Sequence, residues 1–227
     1  MSSVSISVDS HPSLDLAAFV LQNASESGSQ GNVFSLFSLA DDAIAKSPFE
    51  IHSDPQRYDT VKSAVRDLLR HAGYKPTGRG KPASEYLVKA AGSGKLNSIN
   101  PVVDALNVVS LHSGLPISVV DLAKCHFESG ALRVAIAPEN SEYVFNASGQ
   151  TIKLDGLLCL FDDEGPCANA VKDSQRTKTN DQTVCSLVLI WGTNELSGHA
   201  AKTAAWFREL IEKHGLGEVE NVEFLVP

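Results

Sequence analysis

Apolar positions recur at helical spacing towards both ends of the chain and in short runs bounded by turn residues between them. Val4 to Val8 alternates and predicts a strand, and Pro12-Ser13 predicts the opening of a short helix running to about Gln22. Residues 23–32, NASESGSQGN, are polar with nothing to bury and predict an insertion loop; Leu39 to Lys46 is weakly helical. Asp54-Pro55 then opens a helix to about Ala72. Tyr58, Val61, Val65, Leu68 and Leu69 share one face of it, and Gly73 ends it. The loop that follows leads into another helix with Ser84 and Glu85 in its first turn, where a carboxylate complements the helix dipole.

The most informative stretch is Leu96 to Lys124. Asn100 is placed to cap a helix whose first residue is Pro101, where the missing N–H costs nothing. Val102, Val103, Ala105, Leu106, Val108, Val109 and Leu111 cover nearly its whole circumference, so this helix is expected to be buried. Asp104, Asn107 and Ser110 interrupt it at a spacing of three and fall on one drifting stripe. Buried polar groups need partners, so the helix is either a core element with satisfied polar residues or the wall of a site. Gly114 supplies a left-handed cap, Pro116 stops the helix, and Ile117 to Leu122 reads as a strand.

Beyond this point the texture changes. Leu132–Ala137, Tyr143–Asn146, Gly156–Phe161 and Val184–Trp191 are β-rich runs separated by Gly, Pro, Asn and Asp turns. VKDSQRTKTND, residues 171–181, is a charged connection ahead of the last of them. Ser197 is the expected cap of a final helix to His214, with Ala201, Ala204, Ala205, Phe207, Leu210 and Ile211 as its apolar positions. Val222 to Val226 closes with a strand. Helices early and late with a β-rich middle, and no regular βαβ alternation, make an α+β fold.

The chain has 227 residues, enough for a full core, and its composition is that of a globular protein. No basic, apolar leader opens it, and Leu187–Trp191 is too short to cross a bilayer, so no membrane association is expected. Four scattered cysteines without a C-x-x-C pair read as buried thiols in a reducing, cytoplasmic compartment. The net charge of -8 argues against a protein that coats nucleic acid indiscriminately. Residues 61–100 nevertheless carry 8 basic residues against Asp67 and Glu85. That segment is either a phosphate-facing patch or a solvated helix face plus loop.

Gly92-Ser93-Gly94-Lys95 lacks both the earlier glycine and the following Ser or Thr of a phosphate loop, since those positions hold Lys89 and Leu96. No His, Cys and Asp set has metal-ligand spacing, and no G-x-S-x-G elbow is present, so neither metal nor cofactor is implied. Two constellations remain. One is Asp104, Asn107 and Ser110. The other is Lys172, Asp173, Ser174, Arg176, Thr177 and Lys178, which could hold a phosphate or carboxylate, or could be a surface loop with an Asp173–Arg176 ion pair.

The residues Val103, Asp104, Asn107, Val109, Ser110, Leu111, Gly114, Leu115, Pro116, Ile117, Asp121, Leu122 and Lys124 form a pattern, VD-x-x-N-x-VSL-x-x-GLPI followed by DL and K. It resembles the B3/B4 domain of the phenylalanyl-tRNA synthetase β subunit, and more closely the free-standing proteins built from that domain alone. Lys81-Pro82-Ala83-Ser84-Glu85-Tyr86-Leu87 is similar to the P-x-S-E-x-L helix start of those proteins, and Asp162-Asp163 with DSQRTKT to their acidic turn and basic loop. The resemblance runs from about residue 55 to 192, with residues 1–227 read as one such domain. It implies a β-sandwich core with helices packed around it. For the synthetase domain it implies contact with tRNA and hydrolysis of tyrosine mischarged onto the phenylalanine tRNA.

The chain departs from the synthetase pattern where that activity resides. Ser118 stands where the synthetase domain places a histidine after its G-x-P turn, and Leu189 or Ile190 where it uses a glutamate to recognise the tyrosine hydroxyl. An aliphatic residue in that position removes hydrogen-bond discrimination. Lys172 replaces the arginine common in the free-standing proteins.

Three functions follow as expectations. The first is a module that binds tRNA or another RNA, with Arg79, Lys81, Lys172, Arg176 and Lys178 on phosphates. The second is a trans-acting aminoacyl-tRNA or aminoacyl-ester hydrolase in which Asp104, Asn107, Ser110, Ser118 and Glu85 line a pocket that positions water. The third uses the same pocket for an amino-acid-like small molecule.

Overall fold

The computed structural model describes residues 4–24, 47–49, 51, 54–128 and 130–225. The expected helix at 39–46 lies outside these residues, as does the expected loop at 23–32 apart from Asn23 and Ala24. The elements in chain order are β1 (Ser5–Val8), β2 (Leu14–Asn23), α1 (Pro55–Arg70), α2 (Ala83–Gly92), α3 (Pro101–Ser113), β3 (Ile117–Asp121) and β4 (Leu132–Ile136). They continue with β5 (Glu142–Val144), β6 (Thr151–Lys153), β7 (Leu158–Asp162), β8 (Gly165–Asn169), β9 (Cys185–Thr193), α4 (His199–Lys213), β10 (Gly217–Asn221) and β11 (Glu223–Leu225). Among the described residues no helix is long and apolar enough to cross a membrane.

Two sheets form the centre, one ordered β11-β1-β4-β7-β8 and one ordered β10-β2-β9-β3. The second sheet is buried on both faces, and the alternation of strand side chains assigns each residue to a layer. Leu187, Leu189 and Trp191 of β9 join Val20, Val120, Val134 and Leu160 in the core between the sheets. Val188 and Ile190 join Phe19, Leu21, Ile117 and Val119 in a second core, closed by α1, α3 and α4. A strand packed on both sides reads as a continuous apolar run, which is what Leu187–Trp191 is. The result is an α+β sandwich with helices packed against one sheet.

The segment expected to be a short helix, Pro12 to Gln22, is instead β2. Its nine-residue antiparallel register with β9, from Leu14↔Thr193 to Gln22↔Cys185, outweighs the helical preference of an Ala- and Leu-containing stretch. The last helix also starts later than expected. Gly198, in the left-handed conformation, precedes His199, and Ser197 makes no cap. Its buried face is Ala200, Thr203, Trp206, Phe207, Leu210 and Ile211, whereas Ala201 and Ala205 face solvent. Strands β6, β8 and β10 had no clear signal. In β8, GPCAN, a proline is tolerated because the strand lies at the sheet edge beside an irregularity in register.

The helix α3 is built as its sequence indicates. Asn100 Oδ1 accepts the Val103 N–H at 2.9 Å, and Gly114 ends the helix with φ 72°. A Cβ on Gly114 would meet Val61 Cγ1 of α1 at 2.8 Å. Gly114→Ala combines a left-handed backbone with a clash in the helix-side core, and it should lower unfolding free energy by about 2–3 kcal/mol in urea titrations. A loss near zero would show that the α1–α3 contact gives way freely.

Candidate functional site

Helix α2 buries only Ser84 fully and packs beside α3 at the margin of the helix layer. Between them opens a cavity of roughly 470 Å³. From α2 it is lined by Ala83, Tyr86, Leu87 and Ala90, one face of the helix at spacings of three and four. From α3 and its approach come Ile99, Val103, Leu106 and Asn107, and from β3 the alternate residues Ile117 and Val119. The remaining wall is the charged connection after β8: Val171, Lys172, Asp173, Lys178 and Thr179. The cavity is therefore apolar over most of its lining, with its charges gathered on one loop.

That loop is held from behind by a buried polar network. Trp191 Nε1 donates to Ser118 Oγ at 2.9 Å, and Ser118 Oγ lies 2.7 Å from Asp173 Oδ1 as its donor. The Asn169 N–H also reaches Asp173 Oδ1, at 3.2 Å. Asn169 Oδ1 accepts the N–H groups of Val171 and Lys172, while Tyr143 donates to the Lys172 carbonyl and accepts from Asn169 Nδ2. Burial pushes the Asp173 carboxyl up to about 6, against the lowering effect of the Ser118 hydroxyl and the Asn169 N–H. Burial likewise lowers Lys178, opposed by the charge of Asp173, and lowers Lys172, assisted by Arg79 and Lys178. Lys178 Nζ donates to the Phe145 carbonyl at 2.5 Å, and Lys172 Nζ lies 4.1 Å from the centroid of the Phe145 ring.

The polar stripe of α3 divides by role. Asp104 accepts from Ser98 Oγ and from the Ile99 N–H at 2.9 Å, tying the approach segment to the helix. Ser110 Oγ donates to the Leu115 carbonyl at 2.7 Å and secures the turn after the helix. Neither lines the cavity. Asn107 does, although only 7 % exposed, and it is the one amide side chain in the lining. Glu85 is held in a two-pronged ion pair by Arg66, at 2.6 and 2.7 Å, and is not part of the lining. Ser118 faces the core between the sheets and reaches the cavity only through Asp173.

The basic candidates divide in the same way. Lys172 and Lys178 line the cavity, and exposed Arg79 lies near enough to act on Lys172 and Tyr86. Lys81, partly exposed, lies between Arg79 and α2. Arg176 is withdrawn. It donates to both oxygens of Asp162 at 2.7 Å and to the Lys124 carbonyl at 3.1 Å, and it lies 3.3 Å from Glu164. The expected Asp173–Arg176 pair does not form. Burial opposes ionisation of Asp162, but the Arg176 hydrogen bonds and the N–H groups of His126 and Glu164 outweigh it and hold that carboxyl below its ordinary range. Within α1, Lys62 pairs with Asp59 and Arg70 with Asp67, which reduces the charge that residues 61–100 can offer a partner.

No spacing in the sequence signalled a metal set, yet the fold brings Cys125, Asp162 and Cys167 together, with ligand atoms all within 4.8 Å of one another. Both oxygens of Asp162 already accept from Arg176 and from backbone N–H groups. The neighbouring Cys125 thiol and burial also push the Cys167 thiol up, so neither group is prepared as a ligand.

Residues 74–212, more than half of the chain, match the family described as the B3/4 domain. The chain belongs to that family. Every residue that lines the cavity lies inside the matched B3/4 region, whereas β1, β2 and α1 precede it. No curated protein matches the chain. Among solved structures, 99 % of the chain is covered by the N-terminal fragment of the phenylalanyl-tRNA synthetase β-subunit from Pyrococcus horikoshii, with a TM-score of 0.50 and 11 % sequence identity. That likeness is one of fold. The chain spans about half of the fragment, 52 % of its length.

Sequence reasoning did not single out Tyr86 or the supporting residues Tyr143, Asn169 and Trp191, which are remote from one another in the chain. It grouped Asp173 with the basic loop and, in one of two readings, paired it with Arg176, whereas its partner is Ser118. Asp173 provides a pH test. Its pKa in the folded chain stands above the ordinary 3.8, so ionising it disfavours folding, and its contribution to stability falls as pH rises from about 4 through about 6. Asp173→Asn should therefore stabilise the chain at pH 8, by up to about 2 kcal/mol, and give no gain at pH 4. Urea melts at the two pH values decide it: a variant less stable at pH 8 than at pH 4, relative to the wild type, contradicts the assignment.

Proposed function

We propose that this B3/4 chain acts as an RNA-binding unit that holds an amino-acid-like group, carried on the end of a tRNA or another RNA, in the cavity between α2 and α3. The observation that carries this reading is the division of the lining into an apolar floor and a single charged loop. A cavity of roughly 470 Å³ lies within the usual range for small-ligand sites, about 300–1,000 Å³. Leu87, Leu106, Ile117 and Val171 would bury an apolar side chain, with Asn107 available to a polar group on it. Asp173 suits an α-ammonium group, and Lys172 and Lys178 suit ester or phosphate oxygens. Arg79 and Lys81 extend the positive charge outward along the path a phosphate backbone would take.

The test is fluorescence anisotropy with aminoacylated and deacylated tRNAs, run beside a thermal-shift screen of free amino acids. Binding should be salt-dependent, favour the aminoacylated form, and weaken about tenfold in Lys178→Glu or Lys172→Glu with a shallower salt slope. No binding at low salt rejects the RNA reading, and a thermal shift by free amino acids alone would then assign the cavity to a small molecule.

The place of Asp173 in the cavity lining supports turnover as a second reading. Asp173, with a carboxyl shifted to about 6, is placed to act as a general base towards water in the cavity. Ser118 is not offered as a nucleophile, because it is enclosed between the sheets, 1 % exposed, and does not line the cavity. Deacylation of a panel of mischarged tRNAs should rise through about pH 6, and Asp173→Asn should lower its rate at saturating tRNA to background, beyond whatever binding the variant loses. Turnover at background level in the wild type eliminates this reading and leaves binding alone.

A further inference from the structure

The polar stripe of α3 leaves one group without a partner. Asp104 accepts from Ser98 Oγ and the Ile99 N–H, and Ser110 Oγ donates to the Leu115 carbonyl. The side-chain amide of Asn107, midway along the same helix and only 7 % exposed, makes no hydrogen bond among the described residues. Asparagine is a poor choice for a helix interior, and a buried amide left unpaired is costlier than an apolar side chain of the same shape. Leucine would serve the helix layer better on both counts. The amide opens instead on the cavity, in a lining to which α2, α3 and β3 bring no charged group. A buried polar group that the fold leaves unsatisfied, and that lines such a space, marks where a polar group of a ligand belongs.

The chemistry of the amide limits its partner. A primary amide holds a carbonyl oxygen and an N–H side by side, and a planar group with a donor beside an acceptor meets both in a closed pair of hydrogen bonds. Among uncharged amino-acid side chains a carboxamide does this. A hydroxyl reaches one of the two, and a hydrocarbon neither. A carboxylate offers acceptors alone, and no cation on α2, α3 or β3 balances it there. We propose that Asn107 selects the side chain held in the cavity, and that this side chain ends in a carboxamide, as those of glutamine and asparagine do, with its methylenes against Leu106 and Ile117. This rests on the reading of the cavity as a site for an amino-acid-like group and adds which group it takes. Binding expels water from the amide, so a ligand that leaves it unpaired is rejected.

The experiment measures anisotropy with one short RNA, bare or carrying glutamine, methionine, glutamate or tyrosine through a 3′ amide in place of the ester. Thermal shifts with the methyl esters of the same amino acids run beside it. Glutamine should bind about tenfold more tightly than methionine, its near-isostere, and than glutamate or tyrosine. Asn107→Leu should erase that preference and keep or raise the melting temperature of the free protein, since no hydrogen bond of the fold is lost. A lower melting temperature, which shows the amide paired within the fold, overturns the assignment. Equal binding of the four loaded RNAs, tighter binding of one of the other three, or a preference that survives Asn107→Leu also overturns it, while the cavity stays a site for an amino-acid-like group. Discrimination among the esters without binding of any RNA keeps the carboxamide and removes RNA from the reading above. If the bare RNA binds as well as the loaded ones and no ester shifts the melt, both fail.

Discussion

A strand as apolar as Leu187–Trp191 leaves no face for water, and β9 accordingly sits in the middle of its sheet with a partner on each side and a core above and below. The two cores are coupled through it. Side chains one residue apart serve different layers, so a slip of one position would exchange the contents of both. The long register with β2 excludes that slip, and it also explains why residues 14–23 are a strand despite a helix-like opening at Pro12-Ser13. In this chain the strongest single piece of sequence decides the state of a weaker one about 170 positions away.

The site depends on the same strand through one hydrogen bond. Trp191 is buried at the end of the apolar run, and its indole N–H needs an acceptor there. Ser118 on the adjacent β3 supplies the oxygen and donates its own hydrogen bond to Asp173. Tyr143 and Asn169 hold the Lys172 backbone from the other side. The charged wall of the cavity is thus attached to the core between the sheets by largely neutral donors, while the apolar walls belong to the helices. Arg176 and Asp162 secure the far part of the loop, which is why the most conspicuous cation of the DSQRTKT segment faces away from the cavity.

How much of this the sequence revealed follows the range of the interactions involved. Asn100, Pro101 and Gly114 act on their immediate neighbours, and the limits of α3 were legible from them. The helical stripe Asp104, Asn107 and Ser110 was legible as a stripe, but not its division. Two of the three satisfy loop groups within six residues, and only Asn107 meets the cavity. Asp173 and Arg176, three apart, looked like partners. Their true partners, Ser118 and Asp162, lie 55 and 14 residues away and are supplied by the sheets. Strand β8 was hidden because its Gly and Pro carry a turn signal that only an edge position makes compatible with a sheet.

The departures from the synthetase pattern acquire a physical meaning once the layers are known. Leu189 lies between the sheets and Ile190 under the helices, so neither position lines the cavity. Ser118 is likewise turned inward, and a short hydroxyl there can both accept from Trp191 and orient Asp173. What the cavity wall presents as a result is a carboxyl shifted up to about 6, with two lysines on the same loop whose pKa burial lowers. Burial disfavours the charged form of each of these groups, and the ligand proposed above answers each of them, with an ammonium beside Asp173 and anionic oxygens beside Lys172 and Lys178. The proposed ligand, with both signs of charge at one end and an apolar body at the other, follows from that distribution of charge over the wall.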